Sequence, residues 1–247
     1  SSAGDAAEGA REEVARIVGH IREQWPKTTI VIRADSGFCR DDLMAWCDEH
    51  GVQYVLGLAG NERLTARIAP SMKAATRKAK RTGKPARVFA DFSYRTRKSW
   101  SAERRVIGKA EFTNGGANPR FIVTNVHPAF GSPRFLYETV YCQRGEMENR
   151  LKECQGDLFA DRTPTPTMRA NQLRLWLSSL AYVLMCAVRR IGLAGTELER
   201  ATCGTIRLVL LKLGARVTIS VRRVKLAFAS SFPKADVFER AARRLCT

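Results

Sequence analysis

The segment from Thr28 to Leu58 constrains the fold more than any other stretch of the chain. Thr28 to Ala34 is a short β-branched run that predicts a strand. Asp41 to His50 has helical spacing and is closed by Gly51, and Tyr54 to Leu58 predicts a second strand. Two strands joined through a helix by short links need a crossover, so they should run parallel in one sheet. Upstream, Val14, Ile17, Val18 and Ile21 mark a helix from Ala10 to Trp25, which Pro26 stops. The expected class is α/β.

Asn61 to Arg81 is basic and compatible with a helix, ended by Gly83 and Pro85. The period then falls to two. Val88 to Tyr94, Arg104 to Phe112 and Arg120 to Asn125 predict a small antiparallel sheet of their own. Helical spacing returns at Leu136 to Phe159, Met168 to Arg190 and Thr205 to Leu213. Val217 to Phe228 reads as extended, and Ala235 to Cys246 as a last helix. No internal repeat is present.

Charge narrows the function. Lys and Arg total 42 against 24 acidic residues, a net +18 with a pI near 10.2, which points to a polyanionic partner. Thirteen cations and two acids, Asp91 and Glu103, lie between Lys73 and Lys109. Seven cations and no acid lie between Ala201 and Ala235. RNA is the weaker choice of partner, because neither aromatic RNP-like strands nor a Gly-x-x-Gly loop of the KH type is present. Seven scattered cysteines form no Cys-x-x-Cys pair, and the odd number without a signal peptide argues for a reducing cytoplasm. The longest apolar run, Leu175 to Val188, is too short at fourteen residues to span a bilayer. It predicts a buried helix with Trp176 in the core, and no membrane association.

Two carboxylates carry the candidate chemistry. Asp35 ends the first strand of the βαβ unit. Tyr141, Arg144, Glu148, Lys152 and Gln155 step by three, four, four and three, which would place all five on one face of an α-helix. A strand-end Asp and a helix-borne Glu, with Arg one turn away, suit a phosphoryl-transfer site holding Mg²⁺, with Mn²⁺ as the substitute. Residue types alone leave a plainer reading open. Asp35 could simply start a loop before Ser36 and Gly37, and Glu148 could pair with Lys152 on an exposed helix.

The same residues carry a family resemblance. Tyr, two residues, Arg, three residues, Glu resembles the YREK signature of the DDE transposases of bacterial insertion sequences. The Lys expected after the Glu is replaced here by Gln155. The words Arg33-Ala-Asp-Ser-Gly-Phe38, Asn118-Pro-Arg-Phe121, Arg144-Gly-Glu-Met-Glu-Asn149 and Leu211-Lys-Leu-Gly-Ala215 are similar to the group-1 DDE-domain transposases, in matching order. The resemblance implies an RNase H-like core with a β-rich insertion. It makes Asp35 and Glu148 the catalytic, metal-holding carboxylates and Tyr141 and Arg144 contacts to the DNA backbone, with Lys152 as a stand-in cation.

Within the presumed insertion, Arg95, Arg97, Lys98, Arg104 and Arg105 are candidate DNA contacts. Trp100 would either stack an extruded base or pack in the small sheet. The expected partners are duplex DNA at element ends and target, and a second copy of the chain in a homodimeric synaptic complex.

The family's first catalytic Asp lies on an earlier strand, and no strand pattern precedes Ala10. Asp5 sits in a Gly/Ala-rich opening. The resemblance therefore implies a C-terminal fragment: a partial RNase H-like core lacking its first three strands, with Asp35 on an edge strand. The expected division is residues 1–60 for the partial core, 61–133 for the basic insertion, 134–193 for the part of the core carrying the Glu, and 194–247 for a basic C-terminal region. Two functions remain open at this point. One is an insertion-sequence transposase that cleaves and joins DNA strands. The other is a truncated, non-catalytic DNA-binding remnant, the form in which this chain alone would be inactive.

Overall fold

The computed structural model describes residues 7–246; Asp5 lies outside the described residues. The chain is mixed α/β and divides after Gly145 into two compact units, Ser1–Gly145 and Glu146–Thr247.

The first unit opens with α1 (Ala10–Gln24), followed by β1 (Val31–Ala34), α2 (Asp41–Glu49) and β2 (Gln53–Leu58). β1 and β2 are parallel, with Val31 opposite Gln53 and Ala34 opposite Leu56, as the βαβ reading requires. α2 ends where Gly51 takes φ +62° and the Val52 N–H reaches back to the Cys47 carbonyl at 2.9 Å. That bond and the left-handed glycine close a Schellman-type cap, and Val52 is then fully buried. Asn61 to Arg81 forms two helices, α3 (Glu62–Arg67) and α4 (Ala69–Thr82). Pro70, in the first turn of α4, fits there because that N–H needs no partner within the helix.

The predicted separate sheet does not exist. β3 (Ala86–Tyr94), β4 (Arg104–Thr113), the short β5 (Gly116–Ala117) and β6 (Arg120–Thr124) join β1 and β2 in one six-stranded mixed sheet, ordered β1-β2-β6-β4-β3 with β5 on β4. The physical reason lies in β2, which is buried over Tyr54 to Gly57. A strand covered on both faces needs hydrogen-bonding partners along both edges. β1 supplies one edge. β6 supplies the other, antiparallel, with Val55 opposite Thr124 and Leu58 opposite Phe121. The Thr124 hydroxyl donates to the Tyr54 carbonyl at 2.7 Å, and the Tyr54 N–H donates to Asn125 Oδ1 at 2.9 Å.

Alternation then divides the core. Tyr54, Leu56, Val106, Ala110, Phe121 and Val123 face the helices, with Met44, Leu64 and Ile68. Val55, Ile107 and Ile122 face the other way, against Leu136 and Tyr137. Those two belong to a π-helical stretch, Phe135–Tyr141.

Leu136 to Phe159 is not one continuous α-helix. The π-helical stretch is followed by a turn at Cys142 and Gln143, then α5 (Arg144–Lys152), then a second π-helical stretch, Glu153–Asp157. π turns and breaks shift side chains relative to a 3.6-residue period. The five-residue face expected from Tyr141 to Gln155 is therefore interrupted at both ends.

The second unit contains α6 (Met168–Ala187), α7 (Cys203–Ile206), the hairpin β7 (Ala215–Ser220) with β8 (Arg223–Phe228), and α8 (Ala235–Leu245). Its core joins Met185, Leu193, Ile206, Leu210, Val237 and Ala241. The buried Glu153 carboxylate accepts from Arg189 at 2.5 Å and from the Cys203 N–H at 3.1 Å. Burial would raise its pKa, but these bonds hold it below the usual carboxylate value.

The expectation of a buried α6 fails. Trp176 is 68% exposed and Leu180 55%. The helix runs on through a π turn to Gly192, twenty-five residues, long and apolar enough to cross a membrane by length and composition. The apolar run marks only part of it, because flanking Arg169 and Arg174 are themselves helical.

Candidate active site

Asp35 directly follows β1. Its Oδ1 accepts the Gly37 N–H at 2.9 Å and so caps a single 3₁₀ turn, Ser36–Phe38. The site thus lies beyond the carboxyl ends of two parallel strands, where the chain leaves the sheet and backbone groups become available.

Three contacts bring the Tyr141–Arg144 segment to this place. Arg33, on β1, donates to the Val140 carbonyl at 3.1 Å and to Gln143 Oε1 at 3.4 Å. Tyr141 enters beside Gly57 of β2. A Cβ there would stand 2.6 Å from Tyr141 Oη and 2.9 Å from the Ser36 nitrogen, so only glycine leaves this space open. The Arg144 guanidinium lies over the Tyr141 ring, 5.3 Å from its centroid, with Nη1 3.8 Å from Asp35 Oδ2. Burial raises the Tyr141 pKa; Arg144 opposes that and Asp35 adds to it. A cavity of about 160 Å³ opens here, lined by Ser36, Gly57, Gly60, Arg120, Tyr137 and Tyr141.

Asp35 is about half exposed, with a side-chain exposure of 55%, and Arg144 is at 33%. An ion pair this long and this wet contributes about 0–1 kcal/mol.

Glu148 and Lys152 belong to the second unit, both exposed on α5, and Gln155 is exposed on the π-helical stretch that follows. A cleft of about 430 Å³ in that unit is lined by Lys152 with Asn149, Arg150, Glu153 and Asp157. Among the described residues, no three His, Cys, Asp or Glu side chains group as metal ligands. Asp35 still suits a hard cation: its carboxylate is accessible, and only Oδ1 is used by the backbone.

The basic candidates between Arg95 and Arg105 separate into two kinds. Arg95, Arg97 and Lys98 are exposed where the chain turns from β3 to β4. Trp100 is 5% exposed and packs edge-on to Tyr94 at 5.8 Å, so it presents no ring face to a base. Arg104 is also buried, held by Asp41 at 3.1 Å, by Asp48, and by Tyr54 Oη at 3.0 Å. Arg105 binds Asp91 at 2.6 Å and the Val126 carbonyl at 2.6 Å. Both arginines bind protein groups here and leave no free guanidinium for phosphate.

Sequence reasoning gave no role to four residues, one of which, Arg33, it had named only as part of the word around Asp35. Arg33 and Gly57 hold the Tyr141 segment in place. Arg63 and Arg67 of α3 line a cavity of about 210 Å³ with Arg95, and Arg63 lies 5.0 Å over Tyr94. A glycine inside the apolar β2 was the one local signal for a close approach.

Across residues 1–247 the chain matches the family model for the transposase DDE domain, group 1. No curated protein matches it. A strand-end aspartate flanked by the Tyr and Arg of a downstream helical segment agrees with that match, and the chain belongs to the group-1 transposase DDE domain family.

Proposed function

We propose that this transposase acts on the ends of an insertion sequence, cleaving DNA strands and joining the freed 3′-OH to target DNA. Asp35 and Glu148 would hold Mg²⁺, with Mn²⁺ as the substitute. The bound metal would supply charge neutralisation and an activated water. Around it, Tyr141 and Arg144 would bind the backbone beside the scissile phosphate, Arg144 through its planar fork. Arg95, Arg97 and Lys98 would hold flanking duplex through its phosphates. In this reading residues 1–60 are a partial RNase H-like core, the basic insertion spans residues 61–133, Glu148 lies in the part of the core spanning 134–193, and residues 194–247 are a basic C-terminal region.

The observation that carries the reading is the convergence of Tyr141 and Arg144 on Asp35, across more than a hundred residues of chain. Its test compares Asp35→Asn and Glu148→Gln with the unsubstituted protein. It uses the 247-residue chain and any longer product of its reading frame, with element-end DNA and Mg²⁺. Both substitutions should abolish cleavage and leave DNA affinity nearly unchanged, since neither removes a cation. DNA binding without cleavage in every form of the protein would favour the non-catalytic remnant.

A further inference from the structure

The β7–β8 hairpin has two chemically distinct faces. Residues opposite each other in an antiparallel pair share a face. Ile219 pairs with Val224, Val217 with Leu226 and Ala215 with Phe228, which makes one face apolar. Ser220 pairs with Arg223, Thr218 with Lys225 and Arg216 with Ala227, which gives the other face three cations and two hydroxyls. Arg222 adds a fourth cation at the turn, and no acidic residue lies anywhere from Ala201 to Ala235.

The hairpin stands away from the body of its unit. Every residue from Ala215 to Ala227 is exposed. The stem is anchored where Phe228 meets Phe238 at 4.8 Å and Phe232 at 5.9 Å. Neither turn residue, Val221 or Arg222, takes a positive φ, so the connection lacks the primed turn whose twist suits a two-residue hairpin. A two-stranded hairpin is marginal in water without further support. The cationic face is exposed along its whole length, with no acidic residue in the hairpin to neutralise it, and so is complementary to an external anion.

We propose that this hairpin is a second DNA-contacting element, a β-ribbon that lays Arg216, Arg223 and Lys225 along the phosphates bordering the major groove. That groove, about 12 Å wide, admits a two-stranded ribbon. Strands about 4.8 Å apart, with like-facing residues about 7 Å apart along each, place the three cations in one compact patch. Thr218 and Ser220, on the same face, add hydroxyls able to bond phosphate or base edges. The inference rests on the transposase reading and adds to it a contact surface in the second unit.

The test measures duplex affinity against salt for the unsubstituted protein and for the triple variant Arg216→Ser, Arg223→Ser, Lys225→Ser. Three lost phosphate contacts should flatten the log–log slope by about 2.7. All three side chains are exposed, so far-UV circular dichroism and the melting temperature should not move. Arg216→Lys with Arg223→Lys should keep the slope, because counterion release depends on charge. If the triple variant does not fold, Arg223→Ser carries the test alone, with a change of about 0.9. An unchanged slope overturns the proposal. So does a variant that loses binding to anionic phospholipid vesicles while keeping its DNA slope, since the partner would then be a membrane surface. A flattened slope together with full cleavage by Asp35→Asn would instead sink the catalytic reading and leave the hairpin contact standing.

Discussion

Tyr141 Oη occupies the space that a side chain at Gly57 would need: an ideal Cβ on residue 57 would lie 2.6 Å from it. The Ser36 nitrogen, 2.9 Å from the same point, belongs to the turn that Asp35 caps. One missing methyl group therefore sets both the position of Tyr141 and the approach of the aspartate turn to β2.

Gly57→Ala should destabilise the protein by about 1–3 kcal/mol through overpacking. It should also lower cleavage beyond what the lost stability explains, because the phenol must move. In the Tyr141→Ala background the same substitution should cost at least about 0.5 kcal/mol less, since half of the clash is gone. Chemical denaturation of the four proteins of this cycle checks it. Equal costs in both backgrounds would mean that the ring and the glycine do not compete.

Arg104 tests whether the buried cations of β4 serve the fold or the DNA. Its guanidinium joins β4 to α2 through Asp41 and Asp48, at 3% side-chain exposure. Arg104→Ala strands two carboxylates and should cost about 3–5 kcal/mol of stability. The salt slope of DNA binding by the folded fraction should not change. A flatter slope at unchanged stability would place Arg104 on DNA.

Much of this arrangement was legible in the sequence because it is local. The period of β-branched and apolar residues gave the βαβ unit, most helix positions and the extended character of Val217 to Phe228, though not its fold into a hairpin. What escaped depends on partners distant in the chain. β6 pairs with β2 across more than sixty residues, and nothing near Arg120 announces that its strand will complete the edge of β2 rather than a sheet of its own. Arg104 looks like any basic residue until Asp41 and Asp48 are seen beside it. The π turns around α5 are each too short to be told from α-helix by sequence period alone, although they shift the side chains that follow. The apolar run in α6 predicted burial, but apolar composition does not say whether a partner face exists. The resemblance made Tyr141 and Arg144 contacts to the DNA backbone and included Arg33 in the word around Asp35 without giving it a role; Gly57, which leaves room for Tyr141, carries no motif.

The buried cluster on β3 and β4 makes a pH prediction. Glu111 accepts from Lys109 at 2.5 Å and from Arg87, and Arg87 also reaches Glu138 at 3.0 Å. Burial alone would raise the Glu111 pKa, but the bonds from Lys109 and Arg87 outweigh it and hold the carboxyl at about 2. The folded value lies below the unfolded one. The stabilisation is therefore complete above about pH 4.5 and is lost as pH falls toward 2. Glu111→Gln should cost about 3 kcal/mol at pH 7 and progressively less below pH 4.5. Urea unfolding between pH 7 and pH 3 reads this directly. A cost that stays constant over that range would show that the carboxylate is not the charged partner of Lys109.

The last prediction concerns whether the β3–β4 turn of the first unit contacts duplex DNA. Arg95, Arg97 and Lys98 are exposed cations where the chain turns from β3 to β4, and Arg95 shares a cavity with Arg63 and Arg67. Replacing all three by Glu should flatten the salt slope by about 2.7 through lost counterion release, and more where the new carboxylates repel phosphate. Arg63→Ala and Arg67→Ala should each flatten it by about a further 0.9 if the cluster acts as one surface. Melting temperature should hold within a few degrees for the triple variant, because these side chains are solvated and surface changes of this kind are worth about 0.5 kcal/mol or less. Arg63→Ala should cost slightly more stability than Arg67→Ala, since it also removes the cation over the Tyr94 ring. Should the slope stay at its original value in the triple variant, the β3–β4 turn does not touch DNA, and the backbone contacts must come from other surfaces of the protein.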